Sequence, residues 1–453
     1  ITLAPNDDIS VAVETAAPDL DAESLPGAIL VDADAGPTVD YENGGLSTQC
    51  GSATSSNTTS ITVLGTPSGS ETFTIDEASG GTFGAGIAWA VDLGGAAGDT
   101  FAILGNGDVD NEVVVTNSSF TLNGAGGPLL GVEGVSLTGG AGDDTLDASG
   151  FTAGPSTLDG GIGDDVLMPS VTTAGDSITG GAGVDTVSYA GATSSQCIVI
   201  DNPAVTTGLD ANCDGDGGDP GDAVDSLLDS LEVLQSGAGN DTLIGDAGTA
   251  ETFVPGDGDD DITGQAADFD VIDWSSSSAG MTIDSVNATA TGQGTDTWTG
   301  VANFVGSSFD DTLLVGGGVT PGGPVAGFSG GDGVDTVDAS GAGSGAGINL
   351  ELLDDPFNGS SGPDDVENAV GSAFNDALTG NDLRNMLSAG DGDDSLSGAA
   401  GNDRLLGGLG NDTYSGGPGA DTVSFENSPA GIDADLLAGF ATGEGDDSFP
   451  APD

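Results

Sequence analysis

From Gly371 the chain can be cut every nine residues without a gap, into GSAFNDALT, GNDLRNMLS, AGDGDDSLS, GAAGNDRLL, GGLGNDTYS and GGPGADTVS, ending at Ser424. So short and strict a period leaves few folds open. Each unit is too small to close a core alone and must bury its apolar residue against copies of itself. The sixth position reads Asp376, Asn385, Asp394, Asp403, Asp412 and Asp421, and the eighth reads Leu378, Leu387, Leu396, Leu405, Tyr414 and Val423. The eighth-position residues read as the inward side chains of short strands. An acid two residues earlier would share that face by the two-residue period of a strand, so it is expected in the turn, where the glycines also belong.

Composition decides which partners such a fold can have. Of 453 residues 74 are Asp or Glu, two are Lys or Arg and none is His, for a formal net charge of −72. The two cations are Arg384 and Arg404. A chain so poor in positive charge cannot neutralise phosphates, so nucleic acid is excluded as a partner, and no basic patch exists for anionic lipid. Without His or Lys there is no His-based triad, His-zinc site, Schiff-base lysine or P-loop lysine. No apolar run approaches the roughly 18 to 20 residues of a membrane span. Charge of this size favours an expanded chain, yet 36% of the residues are hydrophobic and they recur at fixed intervals. The chain opens at Ile1 with neither a starting Met nor a signal-peptide pattern, and is expected to be a processed or trimmed piece.

The same unit stands earlier, at Gly139 (GGAGDDTLD), Gly160 (GGIGDDVLM), Gly180 (GGAGVDTVS), Ser236 (SGAGNDTLI), Pro255 (PGDGDDDIT), Gly306 (GSSFDDTLL) and Gly330 (GGDGVDTVD). These nonamers resemble the repeats-in-toxin (RTX) family, whose GGxGxDxUx unit, with U a large apolar residue, is a calcium-binding repeat of a parallel β-roll. The resemblance implies an all-β chain: a right-handed parallel β-roll or β-helix solenoid with calcium-binding glycine-rich turns. Two nonamers would complete a winding, so that every second turn stacks. It also implies several Ca2+ ions between stacked turns, each taking Asp carboxylates and backbone carbonyls at about 2.3 to 2.6 Å, six to eight oxygens in all. The ligands so implied are Asp144, Asp165, Asp176, Asp185, Asp241, Asp260, Asp311, Asp335, Asp376, Asp394, Asp403, Asp412 and Asp421. Asn385 and its neighbours GNDLRN depart from the pattern. One large apolar residue per nine is a thin core against the entropy of ordering the rest, and stacked carboxylates repel, so folding is expected to require the metal.

A longer period overlies the nonamers. DTVSYAGA from Asp185, DVIDWSSS from Asp270, DTVDASGA from Asp335 and DTVSFENS from Asp421 open similar units. The first three run through polar inserts to LEVLQSGAGNDTL, VANFVGSSFDDTL and VENAVGSAFNDAL, and GVEGVSLTGGAGDDTL from Gly131 is an earlier relative. These inserts read as calcium-poor windings that carry Tyr189, Trp274 or Phe425 into the core. The insert after Tyr189 contains DANCDGD, which opens like an EF-hand loop with Asp210, Asn212, Asp214 and Asp216 as candidate ligands. Its twelfth position is Gly221, so the closing bidentate Glu is missing. A separate calcium site and a merely acidic loop both stand at this point.

Residues 1–59 are acidic and weakly patterned and are expected to form an extended arm or linker, with ISVAVE (Ile9 to Glu14) available to add as a strand to a neighbouring copy. Residues 60–138 alternate with glycine-rich turns and read as β, either a β-helix continuous with the roll or a separate sandwich. The roll with its inserts is expected over 139–424, and 425–453 reads as an incomplete final unit of a longer array. Cys197 and Cys213 bracket one insert and are expected to pair, leaving Cys50 odd.

The expected function is extracellular and structural: a calcium-binding, secreted subunit of a self-assembling surface layer, sheath or filament, without enzymatic activity. Its partners would be copies of itself in a homo-oligomer or polymer, or a cell-surface glycan. The rivals are the stalk of a secreted adhesin, which would use Trp89, Trp274 or Trp298 on its surface, and the calcium-binding module of a secreted polysaccharide-acting enzyme, which could work with paired carboxylates alone.

Overall fold

The computed structural model describes the strands Asp8–Thr15, Glu23–Pro26, Leu30–Ala33, Val39–Glu42 and Ser47–Gln49, and from residue 58 onward everything except 65–71, 77–87, 94–97, 106–108, 171–175, 194–196, 200–225, 228–230, 246–249, 265–269, 317–326, 343–348, 353–365, 436–439, 444 and 450–453. Among the described residues all regular structure is strand, and no helix is present that is long and apolar enough to cross a membrane. The chain divides into two compact units, Ile1–Glu251 and Thr252–Asp453.

In the first unit, strands separated by one winding pair in parallel and in register. Leu146 lies opposite Leu167, Leu167 opposite Val187 and Val187 opposite Leu234. A second sheet stacks Ile103, Leu137, Leu158 and Ile178 in the same way. All eight of these side chains are buried. The core is therefore a file of single apolar residues from each sheet, as one large apolar residue per short strand requires. Thr72–Asp76 pairs in parallel with Thr100–Leu104, and that strand with Gly134–Ala141.

Part of the segment expected to be an extended arm is paired within the chain. Asp8–Thr15 lies antiparallel to both Glu23–Pro26 and Thr58–Leu64, and Leu30–Ala33 runs parallel to Thr72–Asp76. The stretch ISVAVE, whose alternation suits it to a sheet edge, thus has strands of its own chain on both sides.

The second unit repeats the scheme. Leu313, Val337, Ala369, Leu387 and Leu405 form one file, and Leu378, Leu396 and Tyr414 the other. Where a polar insert breaks the nonamer, a large side chain fills the wider winding. Trp274, Trp298 and Phe304 pack together with ring centroids 5.0 to 6.2 Å apart. Tyr189 and Trp274 are buried as expected, whereas Phe425 is only half-buried and packs against Tyr414 and Phe449. At the C-terminal side Asp433–Asp435, Phe440–Thr442 and Asp446–Ser448 form an antiparallel meander, and Ser448 pairs in parallel with Thr413. The sequence TGEGDDSFP at 442–450 also fits the nonamer, with Thr in place of Gly at the first position.

Cys50, Cys213 and the loop of Asp210, Asn212, Asp214 and Asp216 lie outside the described residues. Cys197 begins the strand Cys197–Val199, which pairs with Thr242–Ile244.

Candidate metal centre

Each sixth-position Asp is the last residue of its turn, immediately before a strand. Its side chain continues the strand's inward alternation and so lies inside the coil: Asp144, Asp165, Asp176, Asp185, Asp241, Asp260, Asp311, Asp335, Asp376, Asp394, Asp403 and Asp412 are all at most 4% exposed. Among the described residues of the expected set, Asp421 alone is half-exposed. The expectation that the acid belongs to the turn holds, but the carboxylate is also part of the interior.

Successive windings join these carboxylates into ladders. The backbone N–H of Asp144 donates to Oδ1 of Asp165 at 2.8 Å, and that of Asp165 to Asp185 at 2.9 Å. In the second unit Asp376 donates to Asp394 at 2.7 Å, Asp394 to Asp412 at 3.0 Å, and Asp311 to Asp335 at 2.7 Å. The other column runs from Asn385 to Asp403 at 2.9 Å and on to Asp421 at 3.1 Å. Every such bond points from one winding to the next in the chain. Repetition at a separation of 18 residues in the C-terminal run confirms two nonamers per winding.

One carboxylate oxygen is thereby used, and the second is not. Oδ2 of Asp144, Asp165, Asp185, Asp335, Asp394, Asp403 and Asp447 is buried without a hydrogen-bond partner. Orphaned carboxylate oxygens are costly unless a proton or cation meets them. At Asp144, Asp165 and Asp403 this oxygen faces the glycine at position one of the same turn: a Cβ on Gly139 would overlap Asp144 Oδ2 and the carbonyl of Gly160 in the next winding, one on Gly160 would meet Asp165 Oδ2 and the Gly180 carbonyl, and one on Gly398 would meet Asp403 Oδ2 and the Gly416 carbonyl. The space is a cradle of carboxylate and carbonyl oxygens kept open by the missing side chain. Positions two and four of the turn, Gly161 and Gly163, have φ of 110° and 132°, angles that L side chains resist.

The donor set suits a hard cation. Among the described residues no three acidic, Cys or His side chains converge on one point, so an ion between windings would take most of its ligands from carbonyls, as a six- to eight-coordinate calcium can. Electrostatics favour one as well. Burial is the main force that pushes the Asp335 carboxyl up to about 8, with the charges of Asp311 and Glu367 adding to it against the N–H of Asp311. Burial likewise lifts Asp394 to about 7 and Asp165 to about 6, the neighbouring carboxylates of each column again adding. Asp144, Asp185, Asp403, Asp412 and Asp447 are raised for the same first reason. Among the described residues the ion pair within the protein is Arg404 with Glu426, 2.6 Å apart and partly exposed. It relieves none of the buried columns.

Sequence reasoning missed several members of the ladders. Asp185 donates its N–H to Oε2 of Glu232 at 2.8 Å, Asp335 to Glu367 at 2.7 Å and Asp99 to Glu133 at 2.9 Å. These glutamates stand in the LEVLQ, VENAV and GVEGV segments, where the nonamer spacing is broken and a longer side chain reaches the same place. Asn111 precedes Asp144, donating at 2.6 Å, and Asp447 of the nonamer at 442–450 follows Asp412, accepting at 3.0 Å. In the winding of Asp296 the cradle is filled, since Trp274 Nε1 donates to its Oδ2 at 2.9 Å. Burial raises that carboxyl to about 6 against the indole bond.

A solenoid of acidic, glycine-turned parallel windings is what these observations define. A family model for the RTX calcium-binding nonapeptide repeat (4 copies) matches residues 135–151, 152–169, 172–191, 231–249 and 388–423. Over those residues the chain is similar to the RTX calcium-binding nonapeptide repeat. No curated protein matches the chain.

Proposed function

We propose that this chain is an extracellular structural protein, folded by Ca2+ bound in the cradles between windings, that assembles with copies of itself into a surface layer, sheath or filament. The observation that carries the reading is the recurrence of buried, unpartnered Asp Oδ2 atoms at one position of successive windings within each unit, with a position-one glycine against that oxygen at Asp144, Asp165 and Asp403. Asp144, Asp165, Asp185, Asp335, Asp394 and Asp403 would each offer Oδ2 to an ion while Oδ1 stays on the backbone of the preceding winding. Asp447 would do the same for the last described turn. Bound calcium supplies positive charge and a demand for many oxygens, which together turn carboxylate repulsion into ligation.

Two features support a structural role over the rivals. Trp89, Trp274 and Trp298 are at most 5% exposed, so they serve the core and offer no surface platform for an adhesin. The buried carboxylates are engaged in ladders and not paired across a cleft, which leaves carboxylate-only catalysis without its geometry among the described residues. At a net charge of −72, copies can approach closely only with cations between them. Purified full-length chain should scatter light and form regular assemblies visible by electron microscopy on calcium addition, and disperse in chelator. Calcium-saturated chain that stays monomeric at high concentration would rule out the assembly role.

A further inference from the structure

Not every turn of this pattern leaves the second carboxylate oxygen unpartnered: Gly306 and Gly371 border the same kind of carboxylate and carbonyl oxygens as Gly139 and Gly160, but there the carboxylate is engaged within its own turn. In residues 306–311 (GSSFDD) and 371–376 (GSAFND) the second glycine is Ser and the fourth-position glycine is Phe. Ser372 Oγ donates to Asp376 Oδ1 at 2.8 Å and lies 3.1 Å from Oδ2, its N–H donates to Oδ2 at 2.6 Å, and Oγ accepts the N–H of Phe374 at 3.2 Å. Ser307 repeats the scheme with Asp311 and Phe309: Oγ to Oδ1 at 2.9 Å, the Ser N–H to Oδ2 at 2.6 Å, and the Phe N–H to Oγ at 3.1 Å. Residues 380–385 do it with amides. Asn385 Oδ1 accepts the N–H of Asn381 at 2.9 Å, Asn385 Nδ2 donates to Asn381 Oδ1 at 2.8 Å, and that oxygen also accepts the N–H of Leu383 at 3.1 Å.

A second observation is independent of these bonds. The turns of Asp144, Asp165, Asp185, Asp335, Asp394 and Asp403 hold positions two and four at positive φ, which turns their carbonyls, whereas none of Ser307, Phe309, Ser372, Phe374, Asn381 and Leu383 has a positive φ. Both requirements of a calcium turn, a spare carboxylate oxygen and inverted backbone, are absent at the same three places. Each also lies on the N-terminal side of its run, against a winding of an insert: Met281 donates its N–H to Asp311, and Asn385 donates to the Glu367 carbonyl at 3.0 Å.

Resting on the calcium reading above, we propose that these three turns are metal-independent. Each is closed by its own second-position side chain in place of a cation, so that Asp311 and Asp376 give no ligand to calcium and the cradle runs of the second unit begin on windings that need no ion. Among turns that share the sixth-position Asp, the residue at position two then decides whether a turn takes metal.

The test is native mass spectrometry of the full chain in calcium, where bound ions are counted as integers. Asp394→Asn should lower the count by at least one, and Asp376→Asn should leave it unchanged. The double variant Ser372→Gly with Phe374→Gly, which restores GGxGxD, should raise it by one. If Asp376→Asn lowers the count as Asp394→Asn does, the cradle reading stands and the metal-independent turn is overturned. If Asp376→Asn does not fold, a folded double variant with no added ion overturns it equally. If neither aspartate variant moves the count, the cradle reading itself fails and the proposal falls with it.

Discussion

At the residue scale the decisive atom is the second carboxylate oxygen of the sixth-position Asp, which at Asp144, Asp165 and Asp403 faces a glycine at position one. Gly160→Ala would push a methyl into Asp165 Oδ2 and the Gly180 carbonyl. It is expected to cost about 1 to 3 kcal/mol in calcium, as overpacking of a tight interior does, and to raise the calcium needed for folding. Gly191→Ala, with open space around it, should change neither; equal denaturation midpoints for the two variants would refute the cradle. Protonation is the other way to satisfy the oxygen. Burial raises Asp335 to about 8 and Asp394 to about 7 from an ordinary 3.8, so the metal-free folded chain binds more protons than the unfolded one across that interval. Their contribution to stability is complete below the unfolded value and is lost as pH rises through 7 and 8. After metal removal, the circular dichroism of β structure should therefore strengthen on going from about pH 8.5 to about pH 5.5. Calcium affinity should move the opposite way, falling as protons compete for the same oxygens. A metal-free signal that weakens on acidification would contradict the assignment.

At the element scale each turn carries two ladders that run in opposite directions. The inner one sends N–H groups forward to the next winding's sixth-position carboxylate. The outer one uses position five and points back: Asp143 donates to Asp110 at 3.0 Å, Asp164 to Asp143 at 2.9 Å and Val184 to Asp164 at 2.8 Å. Val184, Val334 and Ala420 stand at position five in the last nonamer before an insert-type unit, each donating its N–H backward. An apolar residue suffices there because no following nonamer turn asks it for an acceptor. Asp164→Ala should thus cost only about 0.5 to 1.5 kcal/mol, the net worth of one hydrogen bond, with the calcium count unchanged. Asp165→Ala, one residue on, should remove calcium. Similar losses of calcium from both would mean that the two ladders are not chemically distinct.

These ladders also show what the sequence could disclose. The eighth-position core and sixth-position acids were legible because one residue type recurs at one spacing, and parallel strands follow from units too small to fold alone. Glu133, Glu232 and Glu367 were not, since an insert breaks the spacing and only the fold reveals that a longer side chain reaches the Asp position. The engagement of Asp311 by Ser307 and of Asp376 by Ser372 was hidden for another reason: a sixth-position Asp looks the same whether its oxygens face a cation or a hydroxyl. The buried state of the acids, read as turn residues by period, follows from their place as the first inward position ahead of the strand.

At the scale of the whole molecule the balance is between a narrow core and a large uncompensated charge. The apolar files are one residue wide on each sheet, and the protein supplies two cations against 74 acids. Stability must come from outside the chain, and the cradles are where it can enter. The most direct measurement is far-UV circular dichroism of the full chain through a calcium titration from exhaustive chelation at low salt. The account predicts a largely unfolded spectrum without metal and a cooperative gain of β signal with calcium. Magnesium should restore it poorly, because it holds its water and demands near-ideal octahedral geometry. A full β spectrum that persists in chelator near pH 8, unchanged when calcium is added, would contradict the account.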